Sequence, residues 1–323
     1  MGLMFNFANL LMKFARSAPR ATAKKCRFHE AVAINDFQMK TSVALLVVFL
    51  LNSWIAVAQQ KFSFAFLTDI HMNANPATNS AQGFRQAIER AEAAGVEFML
   101  TGGDNVDVDG IKADRKDVAL QLYRDYKAIT EKSTLPCYFT IGNHDRYWAE
   151  GADSELSNSG LFESFFGDAY YAFEHKGWLF VVLNSVQVCN GKYCVDDEQR
   201  EWLADLLQRT PDHQPIVVST HVPFLSLYYP VLEGRYTDAD TFVNQKQIFD
   251  LFAGHNLKLV LQGHQHLYEE IKVKGVQFIT AGAVSANWWG GAFHGTEEGF
   301  LKVDIEGDDF SWEYIDYGWA VKK

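Results

Sequence analysis

The sequence predicts a layered α/β sandwich, and three observations predict it. Short β-rich apolar runs alternate with segments of helical period, and after residue 267 the helical segments give way to closely spaced strands. Short polar signatures follow the ends of the runs instead of interrupting them.

Taken in order, the strand-like runs are 62–68, 96–101, 137–141, 178–183, 216–220 and 257–261, most of them rich in β-branched or aromatic residues and bounded by turn residues. Between them, 80–94 places Phe84, Ala87, Ile88 and Ala91 on one helical face and ends before Gly95. Residues 115–132 repeat the pattern with Val118, Leu122 and Tyr126. Residues 196–209 do so with Trp202, Leu203, Leu206 and Leu207 behind an acidic start that suits a helix N-terminus. The late strands are 269–273, 277–281, 300–305 and 310–314, so the sheet gains antiparallel members at its end.

The chain before the first strand differs in kind. Met39-Lys40, an apolar run over 43–51 and Ala56-Val57-Ala58 read as a signal peptide cut after Ala58. The alternative, a retained anchor, needs about 20 apolar residues, more than this run supplies. Residues 1–38 are basic and almost free of acid: either upstream translation ahead of a true start at Met39, or a long leader. The expected organisation is therefore a removable segment 1–58 and one domain, 59–323, without repeat, low-complexity tract or linker, in a secreted or periplasmic protein.

The formal net charge is −11, and residues 1–58 hold seven of the basic and two of the acidic side chains, so the remainder is more negative still. Such a surface repels polyanions and argues against long nucleic acid as a partner. Among the four cysteines, Cys26 falls in the leader and Cys137 lies in an apolar run as a small buried residue. Cys189 and Cys194 flank an Asn190-Gly191 turn that either a disulfide closes or two free surface thiols bracket.

The polar signatures carry the chemistry: Asp69-Ile70-His71, Gly103-Asp104-Asn105-Val106-Asp107, Gly142-Asn143-His144-Asp145, His221 and Gly263-His264-Gln265-His266. Singly, each is a common capping or loop fragment. Together they supply two carboxylates, four imidazoles and one amide oxygen at strand C-termini, where open α/β sheets bind ligands. That inventory suits two adjacent transition ions, with manganese, iron and zinc all accommodated, provided one carboxylate bridges and water completes the coordination.

In these five blocks, in this order and with the last Gly-His-x-His intact, the chain resembles the calcineurin-like metallophosphoesterase superfamily. The resemblance spans residues 69–266. It implies a sandwich of two mixed sheets flanked by helices and a hydrolase for phosphoesters with a dinuclear metal centre. It implies that Asp69, His71 and His266 hold one ion, that Asn143, His221 and His264 hold the other, and that Asp104 bridges. Two such cations clamp phosphoryl oxygens and generate a hydroxide that attacks phosphorus in line, without a covalent phosphoenzyme. His144 is then the candidate general acid, with Asp145 orienting its ring. Asn105 and Asp107 are expected as supporting or turn residues. The purple acid phosphatase branch carries a metal-binding Tyr where this chain has Asp107, and lacks the His corresponding to His71. The pattern is thus closer to the branch of cyclic-nucleotide phosphodiesterases.

Specificity is expected from loops. Trp288 and Trp289 lie in a turn-rich segment close after the last motif, where each either packs into the core or walls the site for a base, sugar or choline-like group. His294, Tyr228 and Tyr229 are further rim candidates, and Arg146 a candidate phosphate contact. The expected substrate is a small-molecule phosphodiester, the competing readings being a secreted phosphomonoesterase and, outside the enzymes, a metal-free binding scaffold of the same fold.

Overall fold

The computed structural model describes residues 61–149, 151, 153–236 and 240–321. The expected signal peptide and cleavage after Ala58 lie outside the described residues.

Thirteen strands are formed among the described residues: β1 Lys61–Leu67, β2 Phe98–Thr101, β3 Cys137–Tyr138, β4 Tyr171–His175, β5 Trp178–Val182, β6 Gln187–Cys189, β7 Lys192–Cys194, β8 Pro215–Thr220, β9 Asn256–Gln262, β10 Glu269–Val273, β11 Val276–Thr280, β12 Gly299–Glu306 and β13 Asp309–Asp316. The α-helices among the described residues are α1 Ser80–Ala93, α2 Lys116–Thr130, α3 Gly160–Phe166, α4 Asp197–Arg209, α5 Tyr228–Leu232 and α6 Gln245–Leu251. One sheet runs β13-β12-β1-β2-β3, a second β10-β11-β9-β8-β5-β4, and β6-β7 form a separate hairpin.

The alternation of side chains along a strand explains the layers. Phe62, Phe64 and Phe66 of β1 join Phe98 of β2, Phe180 of β5, Leu259 of β9 and Val303 of β12 in a core drawn from both sheets. The Phe64 ring stacks on Phe98 at 5.0 Å and meets Phe180 edge-on at 5.3 Å. The intervening Ala65 and Leu67 join the second core, which includes the buried faces of α1, α2 and α4. Two mixed sheets flanked by helices are the architecture the sequence predicts.

Parallel pairing of β1 with β2 and of β2 with β3, and of β8 with both β5 and β9, sets the C-termini of the site-bearing strands at one end of their sheets. The two rims are sewn together there. Val284 N–H donates to the Thr68 carbonyl, and the Thr140 and Ser219 hydroxyls pair at 2.7 Å. The antiparallel late members are β10 against β11 and β13 against β12, while β11 itself lies parallel to β9.

β3 is shorter than the run 137–141 suggests. Beyond Tyr138 the main chain bonds to side chains: Phe139 N–H donates to the Tyr171 hydroxyl, and Thr140 N–H donates to Thr101 Oγ1. β4, the β6-β7 hairpin, α3, α5 and α6 are additional to the predicted elements. Cys189 and Cys194 are joined as a disulfide, and Cys137 is only partly covered.

Candidate metal centre

Five of the seven predicted ligand residues, Asp69, His71, Asp104, His264 and His266, have φ between 48° and 73°. Left-handed backbone at a non-glycine residue is unfavourable and persists where surrounding structure enforces it, characteristically at functional sites. Here each chain reverses sharply off a strand end, and glycines make the room. A Cβ on Gly142 would lie 2.1 Å from the Asp104 carboxylate, and one on Gly263 would lie 2.1 Å from the Thr68 hydroxyl.

The fold gathers the seven. Donor atoms of Asp69, His71 and His266 lie within 4.8 Å of one another, as do those of Asp104, His221 and His264. Asp104 Oδ2 stands between the groups, 3.1 Å from His221 Nε2 and 3.6 Å from His71 Nε2, and Asn143 Oδ1 is 3.2 Å from His221 Nε2.

Ring partners show which atoms are on offer. His221 Nδ1 faces the Gly102 carbonyl at 2.8 Å, His266 Nδ1 the Ala286 carbonyl at 2.5 Å, and His71 Nδ1 the Asp107 carboxylate at 2.6 Å. These oxygens only accept, so each Nδ1 carries a proton and each ring turns its Nε2 inward. His71 Nε2 and His266 Nε2 then sit 2.9 Å apart, with Asp69 Oδ1 3.3 Å from His266 Nε2. Ring nitrogens and carboxylates converging like this in a buried site are stable only with positive charge among them. Burial pushes the Asp69 carboxyl up, yet the His266 and His221 rings hold it at about 2. Asp104, against the same burial, is held well below the usual range chiefly by His221. The cluster keeps its carboxylates ionised, and the donor set fits a pair of transition ions.

His144 forms a third trio with His71 and Asp104, its ring 4.9 Å from that of His71. Burial disfavours its charge, but a 2.9 Å bond from Nδ1 to Asp109 and the charges of Asp104, Asp109 and Asp107 outweigh this and raise its pKa to about 10. Its other ring nitrogen can therefore present a proton to a leaving oxygen.

Three expectations are corrected by the structure. Asp145 does not orient the His144 ring. Its carboxylate accepts from Gly142 N–H, Val106 N–H and Asn105 Nδ2, locking the second and third signature loops together, while Asp109 binds the ring. Burial and the Asp104 carboxylate push Asp145 up to about 7 against those donors. Arg146 is only 3% exposed: its guanidinium donates to Asn158 Oδ1 and the Val186 carbonyl and stacks 4.1 Å over Trp148, so it is a strut, not a phosphate contact. Trp289, 3% exposed, is core. It donates from Nε1 to the His71 carbonyl and packs on Trp319, and its ring occupies the space beside Gly83.

Trp288, by contrast, is 46% exposed and stacks on His266 at 4.1 Å. Phe293 lies 6.0 Å from Trp288 and 4.3 Å from His294, which meets the Tyr228 hydroxyl at 2.5 Å, with Tyr229 edge-on to Tyr228. Residues missed by sequence reasoning are Asp109 and Tyr193, whose ring is edge-on to His264 at 6.0 Å. The acidic spacing Asp104, Asp107, Asp109 was the available signal for the first; nothing local marks the second.

Comparison with known proteins adds the following. The family model described as Calcineurin-like phosphoesterase matches residues 62–268. The Homo sapiens protein named Serine/threonine-protein phosphatase CPPED1 is 28% identical over 179 residues, 53% of each chain, so this chain spans about half the length of the curated relative. Among solved structures, a dimetal phosphatase from Danio rerio is similar with a TM-score of 0.56 at 14% identity, covering 80% of this chain and 99% of the other. Purple acid phosphatase PPD1 from yellow lupin seeds is similar with a TM-score of 0.54 at 15% identity, covering 80% and 52%. At these identities the structural likenesses speak to the fold.

Proposed function

The chain belongs to the calcineurin-like phosphoesterase family, a metal-dependent phosphoester hydrolase with Asp and His metal-binding clusters, and on that premise we propose an exported enzyme that cleaves small-molecule phosphodiesters. Asp69, His71 and His266 would hold one ion, Asn143, His221 and His264 the other, with Asp104 shared. Bound there, the ions supply Lewis acidity that polarises phosphoryl oxygens and acidifies a water. The chain's own part is to fix those donors through Gly102, Ala286 and Asp107, and to keep a proton on His144 for the departing alkoxide. Asp109 steadies that ring.

One observation carries the diester reading: the proton-bearing His144 and Trp288, the first ring of an aromatic wall with Phe293 and His294, both stand against His71, at 4.9 and 5.6 Å. A poor alkoxide leaving group needs the acid, and a ring or quaternary amine on the alcohol suits the wall. His71 and Asp107 favour the branch without an iron-tyrosinate. Export rests on the leader sequence and agrees with the Cys189–Cys194 disulfide, a bond that persists in oxidising compartments.

A phosphomonoesterase is the second reading, favoured by the name of the human relative. Protein loaded in turn with manganese, iron or zinc should hydrolyse bis(p-nitrophenyl) phosphate with higher kcat/KM than p-nitrophenyl phosphate or a phosphoserine peptide. The reverse order would replace the diester reading with the monoester one. A folded protein that takes up no metal and cleaves none of them would leave a scaffold.

A further inference from the structure

The β6-β7 hairpin stands apart from both sheets and carries Tyr193 to the metal centre. Its register pairs Gln187 with Cys194, Val188 with Tyr193 and Cys189 with Lys192 around Asn190-Gly191, whose φ values of 53° and 78° are those of a tight hairpin turn. An isolated hairpin with three residues per strand is not stable in water. This one is closed by the Cys189–Cys194 disulfide, Cα to Cα 5.8 Å. It is also tied at its base. Arg146, two residues beyond His144, holds the Val186 carbonyl, and Asn158 reaches from Arg146 to the Gln187 side chain. Val243 N–H holds the Tyr193 carbonyl, and the Asn244 amide brackets Val195 on both its main-chain groups.

So many attachments for so small an element place one side chain. The half-buried Tyr193 ring lies edge-on to His264, with Asp104, Asp109 and Arg146 close enough to act on its hydroxyl. Three buried tyrosines spend their hydroxyls on the fold: Tyr123 on the Asp145 carbonyl, Tyr126 on Asn105, Tyr317 on the Val284 carbonyl. Among the described residues the Tyr193 hydroxyl has no such partner. A neutral phenol there offers a donor to an anionic substrate without competing for the ions.

We propose that Tyr193 contacts the substrate, donating from its hydroxyl to a non-bridging phosphoryl oxygen, and that the Cys189–Cys194 disulfide holds it in position. This rests on the phosphoesterase reading of the same site. Loss of a hydrogen bond to a charged acceptor predicts a drop of about 10–100-fold in kcat/KM for Tyr193→Phe. The drop should fall mainly on KM, with metal content by mass spectrometry unchanged. The Cys189→Ser/Cys194→Ser double variant, metal-loaded, should show a smaller KM increase, and adding Tyr193→Phe to it should cost less than in the wild type.

Calorimetric titration of the metal-loaded protein with inorganic phosphate separates this inference from the parent reading. Wild-type protein that binds phosphate but hydrolyses no ester overturns the parent reading, and the Tyr193 contact then stands or falls on whether Tyr193→Phe weakens phosphate binding. Phosphate affinity and kcat/KM within twofold of wild type in Tyr193→Phe, or loss of metal in that variant, would overturn the contact.

Discussion

Replacing Asp109 with Ala tests the acid assignment more sharply than replacing His144 itself. The His144 Nδ1 to Asp109 Oδ1 bond is 2.9 Å long, with the side chains 31% and 38% exposed. A charge-assisted hydrogen bond inside a protein contributes roughly 1.5–3 kcal/mol and an exposed ion pair roughly 0.2–1 kcal/mol. A pair exposed by about a third falls between, near 1 kcal/mol, and Asp107 at 4.0 Å from the same nitrogen offers a partial substitute. The expected loss in kcat is therefore about fivefold. Because Asp109 helps raise the His144 pKa, its removal lowers that pKa, and the alkaline limb of the rate profile should move to lower pH. The assay is a double-mutant cycle on an alkyl phosphodiester. If Asp109 acts only through the ring, Asp109→Ala should cost nothing further in a His144→Ala background. An undiminished fivefold loss in that background would refute the coupling, and no loss in either would refute the ring-steadying role.

His144→Ala itself should slow alkyl esters by about 10²–10⁴-fold while sparing metal content, with a smaller penalty on p-nitrophenyl esters, whose leaving group needs no proton; equal losses on both would count against proton donation. Asp104→Ala should deplete both ions, read by mass spectrometry, since its carboxylate stands between the two donor groups; retention of one full equivalent would argue against sharing. Trp289→Ala should cost about 3–5 kcal/mol and lower Tm by roughly 6–20 °C in calorimetry, because a buried indole is removed. Trp288→Ala should leave Tm unchanged and raise KM for aryl diesters about 2–10-fold; a Tm loss matching that of Trp289→Ala would place Trp288 in the core instead.

The adjacent tryptophans illustrate where sequence reading stops. Both lie in one loop with positive φ, 48° and 70°, and no periodic pattern distinguishes a side chain turned to solvent from one turned to α1. Asp145 illustrates it again. Its neighbour in sequence is His144, so the pair reads as a dyad, but the chain reverses between Gly142 and Asp145 and aims the carboxylate back at three loop donors. The oriented ring finds its acid 35 residues away, at Asp109.

By itself the sequence determined the sandwich and the membership of the donor cluster. Strand and helix periods are local properties, and a metal-binding repertoire of Asp, Asn and His placed after successive strands has few other uses. Only the tertiary structure decided how those side chains divide the work: which imidazole nitrogen faces inward, which carboxylate steadies the acid, which tryptophan lines the site, and that a disulfide-closed hairpin brings Tyr193 to it. Those choices depend on hydrogen-bond partners far away in the chain and on backbone reversals of a few residues, and composition carries no record of either.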